Sequence, residues 1–219
     1  MHSRRAFLAS GAVGAIAATA GCLDFILGDD LSFSASAASV SETALSESGY
    51  DERRTEKQTF EKEFSAGGES RTVSVTNVYA EYDRGIDLPV LGESQRAATF
   101  TAATTPKAKL LGQTFNPIEK MDAAEIIRRA QGRYDGLSGF EERGKQTVPI
   151  LGKDATVTRF WGDAELSGTG QTIDIELQIS EAVSSGDDFV LAVGGYPRQL
   201  ADQGREHYVT LAGGIQHDG

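Results

Sequence analysis

Hydrophobic and polar positions alternate with a period of two along most of this chain, which predicts strands as its main element. Residues 171–183 (QTIDIELQISEAV) show the pattern most cleanly. Ile173, Ile175, Leu177 and Ile179 fall on one side; Thr172, Asp174, Glu176 and Gln178 fall on the other. That arrangement predicts a strand with one buried and one wetted face. Residues 54–66 and 70–83 are both extended in pattern and are separated by Gly67-Gly68, a hairpin signal. The second arm is rich in Val, Thr and Tyr, which suit a pleated, half-buried surface. The first arm is highly charged and reads as an edge strand.

Further strands are expected over residues 31–40, 97–105, 139–150 and 155–166, the last two joined by a turn at Leu151-Gly152-Lys153-Asp154. FVLAV at 189–193 is short and wholly apolar, as a central strand would be. Residues 41–53 are polar, with Gly49, and residues 85–96 read as a loop. Asn116-Pro117 and Tyr196-Pro197 read as turn signals rather than sites.

The period lengthens in two places. Over residues 122–134, Ala123, Ile126, Ile127 and Ala130 share a face, and Asp122 with Glu125 forms a capping-box-like pair. Over residues 202–216, Tyr208, Leu211, Ala212 and Ile215 share another, weakened by Gly213-Gly214. About seven strands, mostly in hairpins, with two main helices give an α+β class: an antiparallel β-sheet with helices packed on it.

The N-terminus departs from this pattern. Arg4-Arg5 precede Phe7-Leu8, a modest apolar run follows, and Thr19-Ala20-Gly21-Cys22 closes it. A charged start, a short apolar stretch and small residues at the exit read as a targeting peptide over residues 1–21. The stretch is shorter than the roughly 20 apolar residues a spanning helix needs. Weak hydrophobicity beside the paired arginines points to twin-arginine export, with Arg4, Arg5, Phe7 and Leu8 as the export signal. Cys22 is the single cysteine, so it forms no internal disulfide. At the cleavage position its thiol can carry lipid. Residues 22–30 then form a short tether, and residues 31–219 a single domain at the outer face of the cell membrane.

The chain carries 21 Lys+Arg against 32 Asp+Glu, a net charge of -11. Loss of residues 1–21 removes two arginines and no acid, which takes it to -13. Such a surface repels phosphate backbones, so no nucleic-acid partner is expected. The acid excess also suits solubility in strong salt.

The stretches RTVSVTNVYAEY, FTAATTPKAKLLGQTFNPIEKM, AAEIIRRAQGRY and DDFVLAVGGYP, followed by a terminal helix, resemble the uncharacterised lipoproteins of halophilic archaea, a domain family of unknown function. The similarity spans about residues 31–217. It implies a twin-arginine signal and a Thr-Ala-Gly-Cys exit, and it supplies no catalytic residues. The order of elements is also similar to the PsbP/Mog1-type fold, an antiparallel sheet between helices, whose members are mostly accessory and binding proteins.

No catalytic constellation stands out. His207 falls in the last helix and His217 near its frayed end, both read as solvated or capping. There is no Gly-x-Ser-x-Gly elbow and no His-Glu-x-x-His pair. Asp29-Asp30, Glu141-Glu142 and Asp187-Asp188 read as solvated acids, with no calcium-loop spacing to make a metal site. Phe160 and Trp161 are adjacent on a strand and point to opposite faces, so one is expected to be partly exposed. The expectation is a non-enzymatic domain without cofactors, held by lipid at Cys22, that binds or assists another envelope protein. The alternative is a solute- or cation-binding lipoprotein; a carboxylate-based hydrolase is a third reading, needing an opposed acid pair in a cleft.

Overall fold

Among the described residues, extended segments, several of them alternating apolar and polar side chains, pair into a nine-stranded sheet. In a computed structural model of the chain, residues 31–66, 69–87, 94–110, 113–114, 117–131, 136–165 and 170–219 are described. The strands of this sheet are β1 (Leu31–Ser34), β3 (Asp51–Ala66), β4 (Glu69–Asp87), β5 (Ser94–Pro106), β8 (Leu137–Ile150), β9 (Lys153–Glu165), β10 (Thr172–Ser180), β11 (Val183–Ser185) and β12 (Asp188–Pro197). Seven lie along one path, β1-β4-β5-β12-β10-β9-β8, while β3 pairs with β4 and β11 with β12. Two minor ladders accompany it: β2 (Ala38–Val40) with β13 (Ile215–His217), and β6 (Lys109–Leu110) with β7 (Gln113–Thr114).

The sheet is mixed, not purely antiparallel as expected. β1 runs parallel to β4, from Leu31 opposite Val73 to Ser34 opposite Thr76. The cause is the length of β4. β5 pairs with it only over Val78–Asp87, so the rest of that edge would stand open. β1 fills the gap. The β3–β4 hairpin forms as the pattern indicated, and β3 is an exposed edge. The stretches read as a loop over 85–96 instead extend β4 to Asp87 and begin β5 at Ser94. β8 and β9 meet at Leu151 (φ 52°) and Gly152 (φ 70°), two positive φ values in a row, as a tight two-residue turn requires. β12 is central and almost wholly buried.

Helices are few. α1 (Glu42–Ser48) lies in the polar stretch over residues 41–53, where no helix was expected. Ser41 caps it by accepting from the Ala44 amide, and Gly49 ends it at φ 69°. α2 (Ala123–Gln131) is capped as foreseen: the Asp122 carboxylate accepts from the Glu125 amide at 2.7 Å. α3 (Ala201–Gly213) is shorter than the helix expected over 202–216. Gly213-Gly214 stop it, and Ile215 packs from β13 instead. Among the described residues, no helix is long and apolar enough to cross a membrane.

One face of the sheet carries the main core, with Ala80, Tyr82, Phe100, Ala102, Val157, Val190 and Ala192 beneath α1, α3, β2 and β13. The other face carries a small cluster of Ile127, Phe160 and Ile179 under α2. Two glycines let α3 lie close. A Cβ on Gly194 would stand 2.6 Å from the Tyr208 ring, and one on Gly204 would stand 2.4 Å from the Tyr196 ring. Tyr208 thus crosses β12, where its hydroxyl donates to the Ala192 carbonyl at 3.0 Å. Tyr196 is pressed under α3 at the end of the core where the polar residues begin.

Candidate functional site

The strand register brings three side chains into one row. Glu176 on β10 sits opposite Trp161 on β9 and Tyr196 on β12. Glu176 and Gln178 were expected on a wetted face, and both are fully buried. The alternation was read correctly, but α3 covers the polar side as well. A buried carboxylate needs donors to offset its lost hydration, and Glu176 has four. Arg205 of α3 donates through Nε at 2.8 Å to Oε1 and through Nη2 at 2.6 Å to Oε2. Trp161 Nε1 donates to Oε2, and the Tyr196 hydroxyl to Oε1, each at 2.9 Å. The chain continues outward: Gln178 Nε2 donates to the Tyr196 hydroxyl, and Gln146 Nε2 donates to Gln178 Oε1, both at 2.8 Å.

This network fixes protonation. Burial pushes the Glu176 carboxyl up, but donation from Arg205, Trp161 and Tyr196 outweighs it and holds the group below the usual carboxylate range. Burial and the neighbouring Glu176 charge push the Tyr196 hydroxyl well up. The hydrogen bonds to Glu176 raise Arg205 further above an already high value. A carboxylate with its four acceptor sites filled has no proton to give and no lone pair free to take one. Glu176 therefore positions Trp161 and Arg205 and is unsuited to acid–base chemistry.

The outer edge of the row reaches the surface at Trp161, which is half-buried, while Phe160 points the other way into the α2 cluster. The guanidinium carbon of Arg143 lies 4.5 Å from the Trp161 ring centre and that of Arg198 lies 4.9 Å from it. Both distances allow cation–π attraction. Each arginine also pairs with an acid, Arg143 with Glu141 and Arg198 with Asp174. Arg143 reaches the ring because β8 is bulged: Glu142 faces Phe160 and Gly144 faces Arg159, leaving Arg143 as the extra residue.

The histidines sit elsewhere. His207 is on α3, where Arg84 Nη1 contacts its Nδ1 at 2.9 Å and Tyr50 meets its ring edge-on. Burial and then the Arg84 charge lower its pKa, which favours the neutral imidazole. His217 is not at a frayed end. It lies in β13, its side chain has no exposed surface, and Nε2 meets Asp188 Oδ2 at 3.1 Å while Nδ1 meets Ser185 Oγ at 3.0 Å. Asp188, expected as a solvated turn acid, is buried and also accepts from the Ser36 amide at 2.9 Å. A serine, a histidine and an aspartate thus stand in series, but no face of the imidazole is open to a substrate. The trio latches β13 and the segment after β1 to the β11–β12 hairpin.

Glu141 and Glu142 pair with Arg143 and Lys145. Among the described residues, no three His, Cys, Asp or Glu side chains group as metal ligands would. Arg4, Arg5, Phe7, Leu8, Cys22, Asp29, Asp30 and Asn116 lie outside the described residues. Arg143, Arg198 and Arg205 escaped the sequence reading; the lone tryptophan was the one signal that marked their neighbourhood.

The fold and this surface define a mostly-β domain: a mixed sheet, few helices and a buried polar row that ends at a cation-flanked aromatic. The chain belongs to the family described as a domain of unknown function, DUF6517, whose model matches residues 37–216. No curated protein matches it.

Proposed function

We propose that this chain is an exported, lipid-anchored binding domain without catalytic activity, acting on another component of the cell envelope. The Arg4-Arg5 leader and the Ala20-Gly21-Cys22 exit support twin-arginine export and lipid attachment at Cys22. The observation that carries the binding reading is Trp161, half-exposed at the outer end of the buried polar row with two guanidinium groups over its ring. Tryptophan and arginine are the side chains most enriched where binding energy concentrates. Glu176 and its donors lock the ring in place, so little ordering cost remains for a partner to meet.

The test is gentle solubilisation of membranes in high salt, capture through a C-terminal tag, and mass spectrometry of what co-purifies. Three chains are compared: unaltered, Cys22→Ser and Trp161→Ala. The unaltered chain is expected on membranes with a stoichiometric protein partner. Cys22→Ser is expected in the medium, and Trp161→Ala on membranes without the partner. An unaltered chain found in the medium sinks the anchor. A partner retained by Trp161→Ala sinks this surface. A retained metabolite or metal with no protein shifts the reading to a solute-binding lipoprotein.

A further inference from the structure

The β8 bulge does more than aim Arg143 at Trp161. The next residue, Gly144, has φ 151° and lies directly opposite Arg159 of β9. A Cβ on Gly144 would stand 3.0 Å from Arg159 Nη2, tighter than side chains ordinarily tolerate. The guanidinium of Arg159 therefore lies across the space that a side chain at Gly144 would enter. Arg159 and Trp161 are two apart on one strand and share a face.

Arg159 differs from every cation around it. Arg143, Lys145, Arg198 and Arg205 each pair with an acid. Arg159 has no hydrogen-bond or ion-pair partner among the described residues, and its Nε is buried. Carboxylates are abundant in a chain with 32 Asp and Glu, so a partner could easily have been supplied. A buried donor left without an acceptor is costly, and such groups in folded proteins call for an explanation. A guanidinium keeps its charge at every accessible pH and offers a planar fork matched to carboxylate and phosphate oxygens.

We propose that Arg159 anchors an oxyanion-binding site beside Trp161, taking a carboxylate or phosphate group. The bulge at Arg143-Gly144 clears the approach, and Gly144 leaves room for the fork. This rests on reading the Trp161 surface as the recognition surface.

Trp161 is the only tryptophan, so its fluorescence reports on this place alone. The purified full chain is titrated with inorganic phosphate and, separately, with glutarate, at constant ionic strength held with chloride. A saturable change with a Kd below about 10 mM is expected for at least one of them, and which one names the group recognised. Arg159→Gln is expected to weaken it at least about tenfold, while Arg54→Gln on the distant β3 leaves it unchanged. Saturation by neither anion, full-strength binding by Arg159→Gln, or equal weakening by Arg54→Gln overturns the site. If Arg159→Gln does not fold, Arg159→Lys keeps the charge and loses the fork; unaltered affinity in that variant overturns the site too. The titration needs no protein partner. Anion binding without partner capture keeps the site and removes the partner; capture through Trp161 without anion binding removes the site alone.

Discussion

Two arginine–glutamate bridges in this molecule have nearly the same geometry and opposite surroundings. On the β3–β4 hairpin, Arg54 grips Glu81 through Nε at 2.9 Å and Nη2 at 3.2 Å. Under α3, Arg205 grips Glu176 through the same two atoms at 2.8 and 2.6 Å. The side chains of the first pair are 53% and 26% exposed; those of the second are 30% and 0% exposed. Water already serves Arg54 and much of Glu81, so their bridge replaces hydration with something equivalent. Glu176 has no water to fall back on. The same fork is thus a minor contact in one place and an obligation in the other.

The largest effect follows from breaking the buried pair. Arg205→Ala leaves Glu176 buried without its cation, and a loss of about 3–5 kcal/mol is expected in urea denaturation followed by Trp161 fluorescence. The pair also sets an acid limit. The folded pKa of Glu176 lies below its ordinary 4.5. Its contribution is therefore fully present above about pH 4.5 and is lost as pH falls through the depressed folded value. Glu176→Gln cannot take up that proton on unfolding. The stability gap between it and the unaltered chain should be widest at neutral pH and should narrow on acidification below about pH 4.5. A gap constant with pH would show that the carboxylate charge contributes nothing.

Next in size is the contact that presses α3 onto this pair. Gly204→Ala would gain about 1 kcal/mol of helix propensity in a free helix. Here the added methyl meets the Tyr196 ring at 2.4 Å, and overpacking costs about 1–3 kcal/mol. Net destabilisation is expected in thermal melts. In a Tyr196→Ala background the same change should become neutral or stabilising, because the ring it strikes is gone. Tyr196→Phe separates ring from hydroxyl. It removes one donor from Glu176 and the acceptor of Gln178 Nε2, and about 1–3 kcal/mol should be lost although the ring still packs.

This contrast also marks how far the sequence could be read. Strands β4, β9 and β10 followed from residue spacing, because one face of each meets the core, whereas β12 followed from an unbroken apolar run and the exposed β3 from its place across the glycine pair. The cap at Asp122 and the turn at Leu151-Gly152 followed from local chemistry. Helix α1 was missed since only Ala44 and Ser48 of its seven residues are buried, too few to show a period. Glu176 and Gln178 were placed in water because alternation says which residues share a side, not what covers it. Arg205 lies 29 residues from Glu176 in the chain, and the Asp188–His217 contact joins the start of β12 to the C-terminal strand. Nothing local in the sequence encodes either pairing. The Arg143 bulge was invisible for the same reason: it is a property of two strands together.

The smallest effect is the one that best tests the comparison. Arg54→Ala should change stability by no more than about 1 kcal/mol, and the change should shrink further in concentrated salt, which screens exposed pairs. Arg54 also contacts Glu56 at 3.2 Å, so its loss leaves two acids on the hairpin, both still in reach of water. The matching Glu81→Ala variant should behave alike, since neither partner is stranded by removing the other. The buried pair should not be symmetric in this way: losing Arg205 strands a charge, whereas losing Glu176 leaves a guanidinium that is already 30% exposed. Arg205→Ala should therefore cost more than Glu176→Gln, even though the donors from Trp161 and Tyr196 still reach the stranded carboxylate. If Arg54→Ala in dilute buffer proves as damaging as Arg205→Ala, fork geometry rather than burial governs both bridges, and the contrast drawn here fails.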